Sequence, residues 1–210
     1  MILLSNSFWL QLYNGLINTG YIEYIAVFAG IISVWFSKKE SIWVYPTGLV
    51  NTLLFIYLSY EGNLIGEASV NLYYSIMSLY GWYKWVEKNA DNQTFSLKIT
   101  KSTTHEWLKQ LLFFLVIYVL LFTLISILKE KFAPNAIPWA DALASASAYT
   151  GMWLMTRKKL EHWYWWIVTN LVSIPLYVVK GYVFTGVQFL VLLFLAVAGL
   201  IEWKNKLANQ

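Results

Sequence analysis

The chain has 210 residues, of which 59% are apolar and only 12% are charged, and its net charge is +4. A soluble domain of this length carries about a quarter charged residues, so this sequence lacks the charge to cover a soluble surface. The absence of cysteine excludes disulfides and thiolate metal sites. The 12 Trp and 15 Tyr residues fit the aromatic belts at the two faces of a bilayer. Composition therefore indicates an integral membrane protein.

The chain begins with a segment, residues 1–20, that mixes aromatic and leucine side chains with serine, asparagine and glutamine. This pattern predicts an amphipathic segment at the membrane interface. A membrane-spanning helix needs about 20 mostly apolar residues, and seven later segments are predicted as spans. They lie at roughly 21–36, 42–60, 64–85, 107–128, 137–156, 163–179 and 182–203.

Basic residues are distributed unequally between the predicted loops. Seven spans place 12 of the 15 lysines and arginines on one side of the membrane and leave Lys129, Lys131 and Lys180 on the other. Cytoplasmic loops are enriched in basic residues, so we expect the N-terminus outside and the C-terminus in the cytoplasm. The predicted location is the inner (cytoplasmic) membrane. The same asymmetry accounts for the positive net charge by topology and gives no reason to expect a nucleic-acid partner.

Two blocks of the sequence share landmarks, which indicates an internal repeat. Glu23 precedes Trp35 by 12 residues, just as Asp141 precedes Trp153, and the spacing from Gly81 to Trp85 recurs from Gly199 to Trp203. The predicted organisation is an interfacial segment (1–20), a three-helix repeat (21–88), a polar loop with a linker helix (89–136) and a second three-helix repeat (137–206). An odd linker helix makes the repeats parallel, a 3+1+3 arrangement like that of the SWEET transporters. Chance coincidence of frequent Trp and Gly is the alternative explanation.

Polar side chains inside the predicted spans are candidates for substrate binding, because such groups usually face a partner helix or a cavity. Trp163, Trp166 and Asn170 lie at i, i+3 and i+7, on one face of a helix, where aromatic rings could stack a flat ligand and the amide could hydrogen-bond it. Asn51 occupies the corresponding place in the first repeat, and Asn71 and Gln188 form a second approximate pair. Hydrogen bonding between helices is the alternative role for these amides.

Several short motifs resemble those of the PnuC-type vitamin-precursor transporter family. They are Gly48-Leu49-Val50-Asn51, Tyr80-Gly81-Trp82-Tyr83-Lys84-Trp85, Trp139-Ala140-Asp141, Met155-Thr156-Arg157-Lys158-Lys159 and the run Glu161-x-Trp163-x-x-Trp166-x-x-x-Asn170. The resemblance implies a 3+1+3 helical fold that binds nicotinamide riboside centrally through aromatic and amide side chains. It also implies facilitated diffusion, trapping of the substrate by a separate cytoplasmic kinase, and a homotrimer surrounded by membrane lipid.

Other functions remain open at this point. Thiamine is the alternative substrate, because it too is a cation with a flat ring and the family includes members thought to carry it. A membrane-embedded enzyme and a non-transporting receptor subunit are the alternatives from other classes. The chain has no phosphate-binding loop of the G-x-x-x-x-G-K-[ST] type, and His105 and His162 have no metal-ligand spacing. The sequence therefore predicts neither a cofactor nor a catalytic residue.

Overall fold

The computed structural model describes residues 2–61, 65–88, 97–132 and 134–209, and these residues form eight α-helices. Each predicted span corresponds to one helix from α2 to α8, and α1 covers the predicted interfacial segment. By length and composition alone, α2, α8 and residues 104–130 of α5 qualify as membrane spans among the described helices. The helices are α1 (Ile2–Asn18), α2 (Tyr21–Lys38), α3 (Val44–Glu61), α4 (Ile65–Val86), α5 (Thr104–Phe132), α6 (Pro138–Met155), α7 (His162–Val179) and α8 (Val183–Ala208).

The helices pack as two compact units, each assembled from separate parts of the chain. Unit 1 contains residues 1–19, 103–151 and 164–194, and unit 2 contains residues 20–102, 152–163 and 195–210. Unit 2 therefore holds the whole of α2, α3 and α4 together with the residues around the α6–α7 loop and the last part of α8. The predicted repeat and linker boundaries remain predictions beside this division.

Polar side chains join neighbouring helices in unit 2. The Asn51 side-chain amide donates to the Ala26 carbonyl at 2.7 Å and thereby ties α3 to α2. Farther along, the Ser75 hydroxyl of α4 donates to the Thr52 hydroxyl of α3 at 2.8 Å. Hydrogen bonds of this kind contribute about 0.6 kcal/mol each to helix association in a membrane. They act here together with close packing, because Gly30 faces Asn51 where a Cβ atom would lie 2.7 Å from the amide nitrogen.

Helices α2 and α6 begin and end 117 residues apart, and helices α3 and α7 begin and end 118 residues apart. Both α2 and α6 have 18 residues, as do α3 and α7. The chain leaves α2 and α6 through the same turn, because Ser41 N donates to Phe36 O at 2.9 Å and Lys159 N donates to Leu154 O at 3.1 Å. In these turns Glu40 and Lys158 adopt left-handed φ angles of 60° and 49°, at the position where helices commonly end in this conformation. Equivalent residues in the two blocks are thus 118 positions apart.

Unit 1 combines α1, α5, most of α6 and α7, and the first part of α8. Its α5 begins with a capping box, in which Thr103 N donates to the Glu106 carboxylate at 2.8 Å and Glu106 N donates to the Thr103 hydroxyl at 3.3 Å. At the start of α6, the Asp141 carboxylate forms an ion pair with the Lys180 ammonium at 2.5 Å. The helices approach closely, since a Cβ atom on Gly15 of α1 would lie 2.8 Å from Phe184 of α8.

Candidate substrate-binding site

One face of α7 in unit 1 carries a row of polar and aromatic side chains. Trp166, Thr169, Asn170 and Ser173 follow the spacing i, i+3, i+4 and i+7, so they lie on the same side of the helix. Thr169, Asn170 and Ser173 are buried. Thr169 satisfies its hydroxyl locally by donating to the Trp165 carbonyl at 3.0 Å, and it lies 3.4 Å from the Ala144 carbonyl of α6. The row therefore faces the protein interior and packs against α6.

Asn170 is the most informative member of this row. Its side chain is only 4% exposed, and no hydrogen bond joins its amide to another described residue. An amide has two donor hydrogens and an acceptor oxygen, and leaving such groups unpaired in the interior costs free energy. A buried amide that the protein does not satisfy is well suited to bind a polar ligand group. Trp166, one turn earlier, is half-buried and its indole lies against Gly151 of α6.

Trp165, on another side of α7, contacts α5, and the sequence did not predict this contact. The buried Trp165 indole donates to the Gln110 side-chain oxygen at 3.3 Å, and its ring lies 4.9 Å from that of Phe114. Gln110 is fully buried although α5 is the most apolar of the described helices that qualify as spans. The sequence signal for this contact is that Gln110 is the single amide side chain in α5. Gln188 of α8, predicted as a ligand, is half-buried in unit 1.

Two of the predicted binding residues, Asn51 and Asn71, lie in unit 2. Asn51 is half-buried and uses its side-chain nitrogen to hold α2, as described above. Asn71 is half-buried on α4, where its backbone carbonyl accepts a hydrogen bond from Ser75 at 2.9 Å. The constant distance of 118 residues places Thr169, one position before Asn170, as the equivalent of Asn51. The predicted pairing of Asn51 with Asn170 is therefore displaced by one residue.

Trp163, the third predicted residue on the α7 face, belongs to an aromatic cluster in unit 2. It is 1% exposed, and its ring lies 4.3 Å from that of His162 and 5.8 Å from that of Trp203. Gly199 allows this contact, because a Cβ atom there would collide with the indole. The indole nitrogen of Trp163 is buried without a hydrogen-bond partner. Its predicted role in binding stays a prediction.

The first repeat contains the same arrangement at equivalent positions. Tyr45 packs against Gly81, where a Cβ atom would collide with its ring, and lies 5.2 Å from Trp85 at 85°. The interplanar angle between Trp163 and Trp203 is 89°, so both pairs are edge-to-face. Like the Trp163 nitrogen, the Tyr45 hydroxyl is buried without a partner. The repeat is thus visible in tertiary contacts as well as in spacing.

Glu161, the first residue of the motif run, fastens a polar segment onto the α6–α7 loop. One carboxylate oxygen accepts from Ser102 N at 2.9 Å and the other from the Ser102 hydroxyl at 2.8 Å. The backbone adds two bonds, from Thr100 N to Lys158 O at 3.1 Å and from Leu160 N to Thr100 O at 2.9 Å. We call residues 97–102 the strap. Glu161 is therefore a structural clamp for the strap directly before α7.

Two further features concern other kinds of site. A concavity of about 570 Å³ at the start of α5 is lined by Thr104, His105, Trp107, Leu108 and Leu111, and includes none of the predicted binding residues. Within the described ranges, no three His, Asp or Glu side chains are placed together to hold a metal ion. Of the surfaces compared, the buried face of α7 offers the more specific polar chemistry.

The described residues form long apolar helices with one buried polar helix face, which is typical of a multi-pass helical membrane protein. Within that class, the chain belongs to the family described as nicotinamide mononucleotide transporter, which it matches over residues 20–205. The resemblance seen in the sequence motifs is thereby confirmed.

Individual relatives agree with this assignment. The nicotinamide riboside transporter PnuC of Escherichia coli K12 is 24% identical over 205 residues, covering 88% of this chain and 85% of that protein. The riboflavin/roseoflavin transporter RibM of Streptomyces davaonensis is 25% identical over 177 residues, covering 83% of this chain and 80% of that protein. The crystal structure of the vitamin B3 transporter PnuC shares the fold, with a TM-score of 0.69 and 24% identity over 97% of this chain and 89% of that chain. These relatives are named as transporters, in agreement with the prediction that the chain is not an enzyme.

Proposed function

We propose that this protein moves nicotinamide riboside across the inner (cytoplasmic) membrane by facilitated diffusion. The observation that carries the proposal is the Asn170 amide, which is buried on α7 without a partner among the described residues and lies one turn from Trp166. Family membership supports it, as does similarity to proteins from E. coli and Neisseria mucosa that are named nicotinamide riboside transporters. The N. mucosa protein is 28% identical over 162 residues, 75% of this chain and 60% of that protein.

The chemistry of the ligand suits the α7 face. Nicotinamide riboside has a flat cationic ring with a carboxamide, and a cationic ring over an indole gains about 0.5–2 kcal/mol from cation–π attraction. In the proposed complex the ring stacks on Trp166 while the Asn170 amide hydrogen-bonds the carboxamide. A few placed polar groups in a largely apolar surrounding are typical of small-molecule sites. Gln188 is proposed as a further polar contact in unit 1, and Asn51, Asn71 and Trp163 stay predictions.

The proposed topology is seven spans in a 3+1+3 arrangement, with the N-terminus outside and the C-terminus in the cytoplasm. The ends of α2 and α6 lie 117 residues apart, those of α3 and α7 lie 118 residues apart, and the equivalent ring contacts at Gly81 and Gly199 also lie 118 residues apart. These distances support two parallel repeats, with α5 as the helix between them. The unequal distribution of lysines supports the orientation. Trapping by a separate cytoplasmic kinase and assembly as a homotrimer belong to the same proposal.

A second candidate cargo is riboflavin. The Streptomyces relative named for riboflavin and roseoflavin is as similar to this chain as the E. coli relative named for nicotinamide riboside. Riboflavin also combines a flat ring with a hydroxylated chain, so the same face could bind it. Thiamine, the alternative from the sequence, fits the cation–π argument in the same way.

Calorimetric titration of the detergent-purified protein with each of the three vitamins tests the cargo and the site together. We expect nicotinamide riboside to bind and both Asn170→Ala and Trp166→Ala to weaken its binding at least tenfold, the loss of a hydrogen bond or a stacking contact of about 1.4 kcal/mol. Asn205→Ala, an exposed amide on α8, is the matched control and should bind normally. If only riboflavin or only thiamine binds, that vitamin replaces nicotinamide riboside as the proposed cargo. If both variants bind nicotinamide riboside as the unmodified protein does, Asn170 and Trp166 do not form the site.

Transport without ion coupling is tested separately in vesicles that contain no kinase. We expect the riboside to reach equal concentrations on both sides and no further. Accumulation in energised vesicles that a protonophore abolishes would contradict facilitated diffusion.

A further inference from the structure

The face of α6 that packs against α7 is defined by two contacts in unit 1. Thr169 lies 3.4 Å from the Ala144 carbonyl, and a Cβ atom on Gly151 would lie 3.2 Å from the Trp166 indole. Ala144 and Gly151 are seven residues apart, two turns of the helix, so they share one face. Ser147 lies between them on that face, three residues after Ala144. The side of α6 that faces the candidate site on α7 therefore carries a hydroxyl group.

The Ser147 hydroxyl is fully buried and has no hydrogen-bond partner among the residues that the structure describes. A serine inside a helix can satisfy its hydroxyl by donating to the carbonyl four residues earlier. The neighbouring Thr150 does so, since its hydroxyl donates to the Ala146 carbonyl at 2.8 Å. Ser147 does not use this local solution although it is available on the same helix. An unpaired buried polar group in a well-packed protein calls for an explanation, and an unfilled ligand contact is one.

Two buried polar groups thus occur on one pair of packed helices. The Ser147 hydroxyl on the facing side of α6 is buried without a partner among the described residues, and the buried Asn170 on α7 makes no hydrogen bond to another described residue. Both are more than nine-tenths buried. The neighbouring residues on the same face of α6, Ala144 and Gly151, are small. The two groups differ in chemistry, because an amide matches a carboxamide whereas a hydroxyl, as donor and acceptor, matches another hydroxyl.

We propose that Ser147 is a further substrate-binding residue, which hydrogen-bonds a sugar hydroxyl of the cargo. The inference rests on the proposed function and extends it, because it assigns the sugar to α6 and the ring to α7. Ser147 then makes the site select a riboside over ligands that lack the hydroxyl. A site built to hydrogen-bond a substrate hydroxyl rejects such analogues strongly, because its own polar group is left unpaired.

The test is a cycle of protein and ligand changes, measured as dissociation constants by calorimetry. The protein is wild type, Ser147→Ala or Thr150→Val, and the ligands are nicotinamide riboside and its 2′-deoxy, 3′-deoxy and 5′-deoxy analogues. Thr150→Val is the matched control, because it removes a buried hydroxyl of the same helix that is already satisfied by backbone. Thermal unfolding of each variant shows that it remains folded.

We expect Ser147→Ala to weaken binding of the riboside about tenfold, the loss of one hydrogen bond. For one deoxy analogue the same substitution should have no effect, because that analogue lacks the hydroxyl that Ser147 binds. Thr150→Val should bind all four ligands within about twofold of wild type.

Two results would overturn the inference while leaving the proposed function intact. One is wild-type affinity of Ser147→Ala for the riboside, and the other is an equal loss of affinity for all four ligands. Failure of the wild-type protein to bind the riboside would instead refute the proposed function, and the assignment of Ser147 with it.

Discussion

Trp85 and Trp203 form equivalent hydrogen bonds, each from its indole nitrogen to a backbone carbonyl of a distant helix. Trp85 at the end of α4 donates its indole N–H to the Met155 carbonyl at 3.2 Å, and Trp203 on α8 donates its own to the Ser37 carbonyl at 3.0 Å. The donors are 118 residues apart and so are the acceptors, so the two bonds are equivalent and crossed. The two rings lie 6.3 Å from each other. Within unit 2 the two bonds therefore join the end of α4 to the end of α6 and join α8 to α2.

The crossed bonds should contribute directly to stability. Trp85→Phe and Trp203→Phe each remove a donor from a buried carbonyl, which costs about 1–3 kcal/mol. For a chain of this size that loss lowers the melting temperature by about 2–4 °C per kcal/mol. The effect should be greater for Trp203→Phe, because Trp203 also donates to the Lys38 carbonyl at 3.2 Å. Thermal unfolding in detergent measures it.

The control for this pair is Trp43→Phe, since Trp43 is 58% exposed. Melting temperatures of Trp85→Phe and Trp203→Phe equal to that of Trp43→Phe would show that the crossed bonds add nothing.

Gly81 and Gly199 should be intolerant of any side chain. A Cβ atom at these positions would collide with Tyr45 and Trp163 respectively. We expect Gly81→Ala and Gly199→Ala to lower the free energy of unfolding by about 1–3 kcal/mol each, the usual effect of overpacking. Trp163→Phe should partly rescue Gly199→Ala, because the smaller ring leaves space for the methyl group.

Gly20→Ala is the matched control for the glycines, because no atom lies within 4 Å of its added Cβ. It should change the melting temperature little. Equal effects of all three substitutions would mean that the ring contacts are not the cause.

The helices could be predicted because apolar segments of sufficient length are separated by short loops with lysine, glycine and proline. Every predicted span overlaps one helix of the structure, and the largest differences in length occur at α5 and α8. The repeat was detectable for a similar reason, since Trp and Gly are fixed by packing and keep their spacing. Spacing alone does not align the two repeats to within one residue. The sequence therefore pairs Asn51 with Asn170, whereas the offset of 118 residues between α3 and α7 pairs it with Thr169.

The candidate site was only partly predictable. Helical spacing placed Trp163, Trp166 and Asn170 on one face, but it cannot show which part of that face another helix covers. Trp203, some 40 residues later in the chain, packs against Trp163, whereas the Asn170 side chain makes no hydrogen bond to another described residue. Ser147 was missed because serine is common in helices. Only its burial without a local hydrogen bond distinguishes it.

The ion pair between Glu40 and Lys158 should respond unequally to removal of its two members. They lie 2.9 Å apart at equivalent positions, and the Lys158 side chain is 7% exposed against 22% for Glu40. Glu40→Gln leaves a buried ammonium without its counter-charge and should cost about 1–3 kcal/mol. Lys158→Met should cost less, because Glu40 keeps Lys206 at 3.2 Å.

The double variant Glu40→Gln/Lys158→Met should be more stable than Glu40→Gln alone, as measured by thermal unfolding. A double variant less stable than either single variant would contradict this account of the pair.

The strap should loosen when Glu161 is replaced. Glu161→Ala removes two hydrogen-bond acceptors of Ser102 and keeps the two backbone bonds of Thr100. We expect faster amide hydrogen exchange in residues 97–102, because local opening depends on the free energy of these few bonds. Glu106→Ala should instead speed exchange in the first turn of α5, where Glu106 forms the capping box. Unchanged exchange in the strap of Glu161→Ala would exclude the clamp.

Asn51 and Asn170 should differ in what they support, although both are amides within predicted spans. Asn51→Ala breaks the bond to the Ala26 carbonyl and should lower the stability by about 0.6 kcal/mol or somewhat more. Asn170→Ala removes an amide that no described residue satisfies, so it should leave the melting temperature unchanged or raise it, since an unpaired buried group is lost. In titrations with the riboside the order should reverse, with the larger loss of affinity for Asn170→Ala. A large destabilisation by Asn170→Ala together with unchanged affinity would identify Asn170 as a packing residue and move the site away from α7.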